Sequence, residues 1–192
     1  MKYLRYAGAT LLNLIFTGLA CLLAPGLALF VQSNGYLPNW LVWFETEDAP
    51  IDAGWQGLYF VVPTTLTRWQ SILNATGWYY SGTGTPTGFN LYVLRVRWLW
   101  RNPAYGFCYW PLGIAYDPTE WVIDTLEHDG ATLTLLKAHT IDGRYFAYTD
   151  AAGAKYGYKL WWAFDANFNL PATMPLTKGT DNRLPICFTP HL

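Results

Sequence analysis

AGATLLNLIFTGLACLLAPGLALFV, residues 7–31, is a run of 25 residues without a single charge, and it stands directly behind Lys2 and Arg5. As an α-helix it would measure roughly 37 Å at a rise of 1.5 Å per residue. A bilayer hydrocarbon core is about 30 Å thick. Residues 1–31 therefore read as a retained membrane anchor. A cleaved signal peptide has a shorter apolar core and small residues ahead of the cut. Here the run passes through Ala24-Pro25-Gly26 into Leu27-Ala28-Leu29-Phe30, and no A-x-A site precedes Gln32. Gly18-Leu19-Ala20 is a poor lipoprotein signal ahead of Cys21. Pro25 removes a backbone donor and crowds the preceding turn, so a kinked, half-inserted monotopic arrangement stays open beside a full span. Asn13 and Thr17 are polar positions that such a helix carries by facing a partner or bonding its own backbone.

Lys2 and Arg5 flank one end of the run, and Glu45, Glu47, Asp48 and Asp52 follow the other. The positive-inside rule then places the N-terminus in the cytoplasm and the body outside, on the weak vote of two basic residues.

The remainder, residues 32–192, has the composition of a folded domain. The whole chain is 52% hydrophobic and 18% aromatic but only 13% charged, against a usual quarter. A net charge of −1 argues against a general nucleic-acid binder, which carries a strong basic excess. Eleven Trp, fourteen Tyr and ten Phe fit a β-rich core with an aromatic belt at the membrane boundary. An exposed aromatic surface for a partner or glycan is the sharper alternative. Cys21 lies inside the anchor; Cys108 and Cys187 lie in the body and pair only if it faces an oxidising compartment. No Cys/His spacing resembles a metal site, and no cofactor is implied.

Tyr36 to Phe44, with Pro38 at its start, reads as a short interfacial helix carrying Trp40 and Trp43 as anchors; the acidic loop Glu45–Asp52 ends it, so that helix and loop together occupy 36–54. Trp55 to Thr67 is too short, and too broken by Pro63, for a second span. The glycines of Ser81 to Gly88 match neither a dinucleotide nor a P-loop fingerprint. Residues 91–102 read as a helix stopped by Asn102-Pro103, with Arg97 and Arg101 stacked at i,i+4, although the Arg/Trp alternation is also strand-like. An antiparallel meander is expected over 107–164. Its strands are Thr132–Thr140, Arg144–Thr149 and Lys155–Phe164, with turns at Asp142-Gly143 and Asp150 to Gly153 and a further strand in Phe107–Tyr116. The proline-rich remainder, 165–192, is expected as extended chain over the sheet. The fold class is thus α+β: a transmembrane or membrane-interface helix, then a small aromatic-rich domain with an antiparallel meander.

Leu37 to Thr46 and Arg95-Val96-Arg97-Trp98-Leu99-Trp100-Arg101-Asn102-Pro103-Ala104-Tyr105-Gly106-Phe107 resemble an uncharacterised family of tailed-phage and prophage proteins. Tyr158 to Trp161 and Phe188-Thr189-Pro190 extend the resemblance over most of the chain; His191 departs from an Arg expected there. The resemblance implies a phage origin and an N-terminal hydrophobic segment. It brings no activity and no catalytic residues.

The histidines are His128, His139 and His191, with Glu120, Asp124, Glu127 and Asp165 the nearby carboxylates. They form no serine elbow, zincin helix or clear nucleophile-base pair. His128-Asp129-Gly130 reads as the turn before a strand, and His139 as a strand histidine. The better site candidate is the box of Arg95, Arg97, Trp98, Trp100 and Arg101. Either its tryptophans fill core while its arginines pair with carboxylates, or it meets lipid phosphates with tryptophans at the carbonyl level. The expectation is a non-enzymatic, envelope-interacting phage protein at the host inner membrane, with its body periplasmic. Its partners would be the bilayer and a host or phage membrane or virion protein, and no nucleic acid. A virion-associated or ejected protein, and then an envelope-acting hydrolase, are the alternatives.

Overall fold

The computed structural model describes residues 1–45, 50–52, 65–75, 86–174 and 182–190. Most of the acidic loop, the apolar stretch after Trp55, most of the Gly-Thr loop and His191 lie outside the described residues. The architecture is α+β: an apolar N-terminal helix followed by a small antiparallel sheet domain with aromatic clusters.

Helix α1 runs Lys2–Leu27 and continues as a 3-10 turn over Ala28–Phe30. Leucine, alanine and isoleucine carry it past Pro25, whose missing N–H costs one bond near the end, where bonds are running out in any case. The chain divides into two compact units, Met1–Ile15 with Phe107–Leu192, and Phe16–Gly106. This differs from an anchor followed by one body beginning at residue 32. The first part of α1, to Ile15, belongs to one unit and the rest, from Phe16, to the other.

In the first unit five antiparallel strands are ordered β2-β3-β4-β5-β7: Trp121–Asp129, Thr132–Thr140, Phe146–Asp150, Lys155–Tyr158 and Ile186–Thr189. Strand β3 has the bounds its β-branched and leucine-rich run implies. Gly130 (φ +55°) and Gly143 (φ +66°) supply the left-handed turn positions on either side of it. Leu136, Ala138 and Ala147 point to the core face, where they meet Leu160 and Ile186. Gly157, at φ +85°, presses on the Phe146 carbonyl so closely that a Cβ there would collide with it.

Two expectations for this unit are corrected. Phe107–Tyr116 is not a strand. Tyr105–Tyr109 forms the short helix α4, and only Ile114–Ala115 (β1) is extended, because Pro111 and Gly113 break the run. The Arg183 guanidinium gathers the resulting turn by donating to the carbonyls of Tyr109, Trp110 and Gly113 at 3.0, 3.1 and 2.6 Å. Nor is the tail merely laid over the sheet. Arg183–Leu184 (β6) pairs with β1, and β7 adds to β5 with Tyr158 opposite Ile186. Pro185 falls between the two pairings and Pro190 just after the second, positions where a missing N–H breaks no ladder.

The second unit holds α2 (Arg68–Ala75), α3 (Gly88–Arg101) and a 3-10 helix over Asn39–Phe44 with Pro38 as its N-cap. Its core joins Ala24, Leu27, Leu41, Ile51, Val96 and Leu99. Glu45 is not a solvated loop residue. It is buried, and its carboxylate accepts the Leu37 N–H at 2.6 Å, closing the 3-10 segment.

Candidate functional site

Helix α1 has an exposed face and a covered one. Leu4, Leu11, Ile15, Leu22 and Leu29 recur at steps of seven and four, so they share one stripe. All are exposed, Leu4 and Leu22 at 80%. The opposite side carries Tyr6, Asn13, Ala20, Ala24 and Leu27, with Ala24 fully buried. Asn13 faces a partner, its Oδ1 accepting from the Cys108 thiol at 3.2 Å, and the Tyr6 hydroxyl donates to the Cys187 carbonyl at 2.6 Å. One helix, Lys2–Phe30, is thus long and apolar enough to cross a membrane, and 22% of its most apolar window is covered by protein.

Beyond its C-terminal end, Phe30 and Trp40 make an edge-to-face pair with centroids 5.7 Å apart, and Trp40 is 70% exposed. Trp43 packs edge-on to Phe16 at 6.3 Å. Both tryptophans therefore stand beside the apolar helix, in a position to meet an interface.

The Arg-Trp box forms the second half of α3, and its residues divide. Arg95 is held by Asp52 in a two-pronged pair, Nε to Oδ1 at 2.6 Å and Nη2 to Oδ2 at 2.7 Å. Both side chains are largely covered. The Trp100 indole donates to the Cys21 carbonyl at 2.8 Å. That carbonyl is the one an N–H at position 25 would normally satisfy. Tyr92, two turns earlier on α3, donates to the Pro25 carbonyl at 3.1 Å. The Arg101 guanidinium lies 5.8 Å from the Trp98 ring centre. The remainder of the box is a turn: Ala104 is fully buried at φ +54°, and Gly106 donates to the Glu45 carbonyl at 2.7 Å. A Cβ on Gly106 would strike the Val42 carbonyl. Asn-Pro-Ala-Tyr-Gly is therefore spelled by backbone demands.

Cys21, Cys108 and Cys187 are free thiols; burial pushes the Cys108 thiol up to about 11. His128 stacks on Phe168 at 4.1 Å and its Nδ1 meets the Gly130 carbonyl at 3.1 Å; it lies near the end of β2, opposite Leu133, and not in the turn expected from the sequence. Asp165 accepts N–H bonds from Asn167 and Asn169, which hold its carboxyl below the ordinary range. No group of three or more His, Cys, Asp or Glu able to hold a metal occurs among the described residues.

Sequence reasoning missed a cleft of about 710 Å³ on the first unit, lined by Lys2 and Tyr3 of α1 and by Asp124, Lys137, His139, Tyr148, Asp150 and Tyr156 of the sheet, among others. His139 Nδ1 and Asp124 Oδ2 are 2.8 Å apart, fifteen residues apart in sequence and joined only by the β2–β3 pairing. No serine, threonine or cysteine lines the cleft among the described residues, so the pair has no neighbour of the usual nucleophilic kind.

The chain belongs to a family of unknown function (DUF7338), whose model matches residues 1–190. No curated protein and no solved structure matches it.

Proposed function

We propose that this member of a family of unknown function is a membrane-anchored, non-enzymatic envelope-interaction protein of a tailed phage or prophage, held at the host inner membrane. The carrying observation is the outward leucine stripe of α1. Burying a leucine side chain is worth about 1.5–3 kcal/mol, so five in one stripe supply roughly 7–15 kcal/mol, of the order of a single acyl chain at about 0.8 kcal/mol per CH₂. Trp40 and Trp43 support the reading as headgroup-level rings. The phage origin rests on the resemblance carried by Leu37 to Thr46, Arg95 to Phe107, Tyr158 to Trp161 and Phe188 to Pro190.

The same contacts favour a helix lying along the membrane surface over one crossing it with the body on the far side. Tyr6 is bonded to Cys187, and Tyr3 packs on Phe146 with centroids 5.2 Å apart, so the first turns of α1 stay with the sheet. The body then takes the place of the polar face that an interfacial helix otherwise carries. A periplasmic body requires Lys2 and Arg5 to be exported with it.

Carbonate extraction of membranes from cells making the full chain tests the anchor, and release of the chain into the soluble fraction would end the proposal. Fusions at both termini test the arrangement. A surface helix gives both termini the same compartment by phosphatase and GFP activity; opposite compartments would show a span whose first turns leave the sheet. Phosphatase activity at the C-terminus identifies the compartment as the periplasm.

A further inference from the structure

The geometry points to the cleft of the first unit as a binding site for a zwitterionic phosphodiester headgroup of the phosphoethanolamine type. Its volume, about 710 Å³, falls in the range of small-ligand sites. Its floor sets opposite charges beside a pair of aromatic rings. Lys137 on β3 is directly opposite Tyr148 on β4, and Tyr148 is directly opposite Tyr156 on β5. Residues so paired have Cβ atoms about 4.5–5.5 Å apart. The two tyrosine rings stand 5.9 Å apart and tilted by 37°, and the Tyr148 hydroxyl donates to Asp150 Oδ2 at 2.8 Å. That bond, with the backbone N–H of Ala154, keeps the Asp150 carboxyl below its ordinary range and therefore ionised. Moving across the sheet, a ligand meets the Lys137 ammonium and then two rings, with the Asp150 carboxylate two residues along β4 at the hydroxyl end of the first ring. Lys2, from the first turn of α1, adds a second cation to the wall.

A phosphate alone would be drawn by Lys137 and Lys2 and opposed by Asp150 and Asp124. An amine alone would meet the reverse. A phosphodiester joined to an ammonium through two carbons satisfies both, with the phosphate at the lysines and the ammonium between Asp150 and the tyrosine rings. An oligonucleotide brings phosphates without a cation for the carboxylates. A neutral glycan would leave all these charges desolvated and unmatched, and would find tilted rather than coplanar rings. Phe146 is already covered by Tyr3 and Tyr6, at 5.2 and 4.9 Å, so Tyr148 and Tyr156 are the rings offered. The source of the headgroup rests on the membrane reading above: the leucine stripe begins at Leu4, two residues from Lys2, so the ligand is a bilayer phospholipid.

The test uses the full chain in detergent micelles, titrated calorimetrically with glycerophosphoethanolamine, glycerophosphoglycerol, inorganic phosphate and ethanolamine. Binding of the first alone is expected. Tyr156→Leu should weaken it about two- to five-fold, the contribution of one cation–π contact, while Tyr156→Phe keeps it; Lys137→Gln should weaken it similarly. Equal binding of glycerophosphoglycerol or phosphate would overturn the assignment, as would binding untouched by either variant or replaced by an oligosaccharide or oligonucleotide. A chain that resists carbonate extraction but ignores glycerophosphoethanolamine defeats this inference and leaves the anchor standing. A chain released by carbonate that still binds the soluble headgroup defeats the anchor alone.

Discussion

Trp100 and Pro25 should be energetically coupled, and a double-substitution cycle measures by how much. In an unbroken helix the N–H of residue 25 would donate to the carbonyl of Cys21; proline has no N–H, and its ring pushes that carbonyl aside. The Trp100 indole donates to it instead, at 2.8 Å. Trp100→Phe keeps an aromatic ring and deletes the donor. Trp100 is 40% exposed, so water competes for the carbonyl. The loss should be about 1 kcal/mol, the middle of the range for a net hydrogen bond. In a Pro25→Ala background the alanine N–H can take the same carbonyl, and Trp100→Phe should then cost roughly half as much or less, a coupling on the order of 0.5–1 kcal/mol as expected for residues sharing a partner. Pro25→Ala alone should stabilise, since it restores a helical bond and frees the strained turn. Thermal unfolding of the full chain in micelles, followed by near-ultraviolet circular dichroism, is sensitive enough: a chain of this size moves by about 2–4 °C per kcal/mol. An equal Tm loss from Trp100→Phe in both backgrounds would refute the reasoning and reduce Trp100 to a packing residue.

The box arginines should separate by function. Arg95→Gln should cost stability, on the order of 1–3 kcal/mol for a charge-assisted pair that is largely covered, and leave vesicle binding alone. Arg97→Gln with Arg101→Gln should weaken binding to anionic vesicles about tenfold or more at low salt, at about 1 kcal/mol per cation; unchanged vesicle binding would refute the assignment. Leu136→Ala, at a side chain with no exposure, should cost about 2–5 kcal/mol by denaturant unfolding, and a cost below 1 kcal/mol would deny that β3 centres the core. Asp117, Asp142, Asp150 and Asp165 all have carboxyls held below their ordinary value of 3.8, by side-chain and backbone hydrogen bonds. Their support is therefore present above that value and is lost as pH falls through the folded values, so Tm should drop between about pH 5 and pH 2; Asp150→Asn should shallow that slope, and an unaltered slope would remove Asp150 from it.

The elements legible in the sequence were those whose cause is local. An uncharged run of 25 residues makes a helix wherever it lies, and Asp142-Gly143 between two β-branched runs makes a hairpin. Asn102-Pro103 stops α3 because the residue before a proline avoids the helical region. The elements missed were those decided at long range. Strand β7 reads as a proline-broken tail until β5 supplies its partner. Phe107–Tyr109 has strand composition and is helical, because Arg183, more than seventy residues away, collects the carbonyls that follow. The cleft was hidden for the same reason. Lys137, Tyr148 and Tyr156 look like ordinary outward positions on three separate strands, and only register sets them in one row.

The least local feature is the double use of α1. Hydropathy sees one apolar run and answers with a span, since an averaged window discards which side of a helix each residue occupies. Exposure carries what hydropathy loses. Leu4, Leu11, Ile15, Leu22 and Leu29 stay exposed along one stripe, while Thr10, Ala20, Ala24 and Leu27 are covered by protein. A helix meant to cross lipid alone has no need of that division, because every side would meet acyl chains. A helix buried in a soluble core would carry its leucines inward, since that is where large apolar side chains gain most from being covered. A stripe of five exposed leucine and isoleucine side chains, on a helix whose other side is held by protein, suits a second apolar phase. It supports the proposed membrane contact more specifically than the apolar length does.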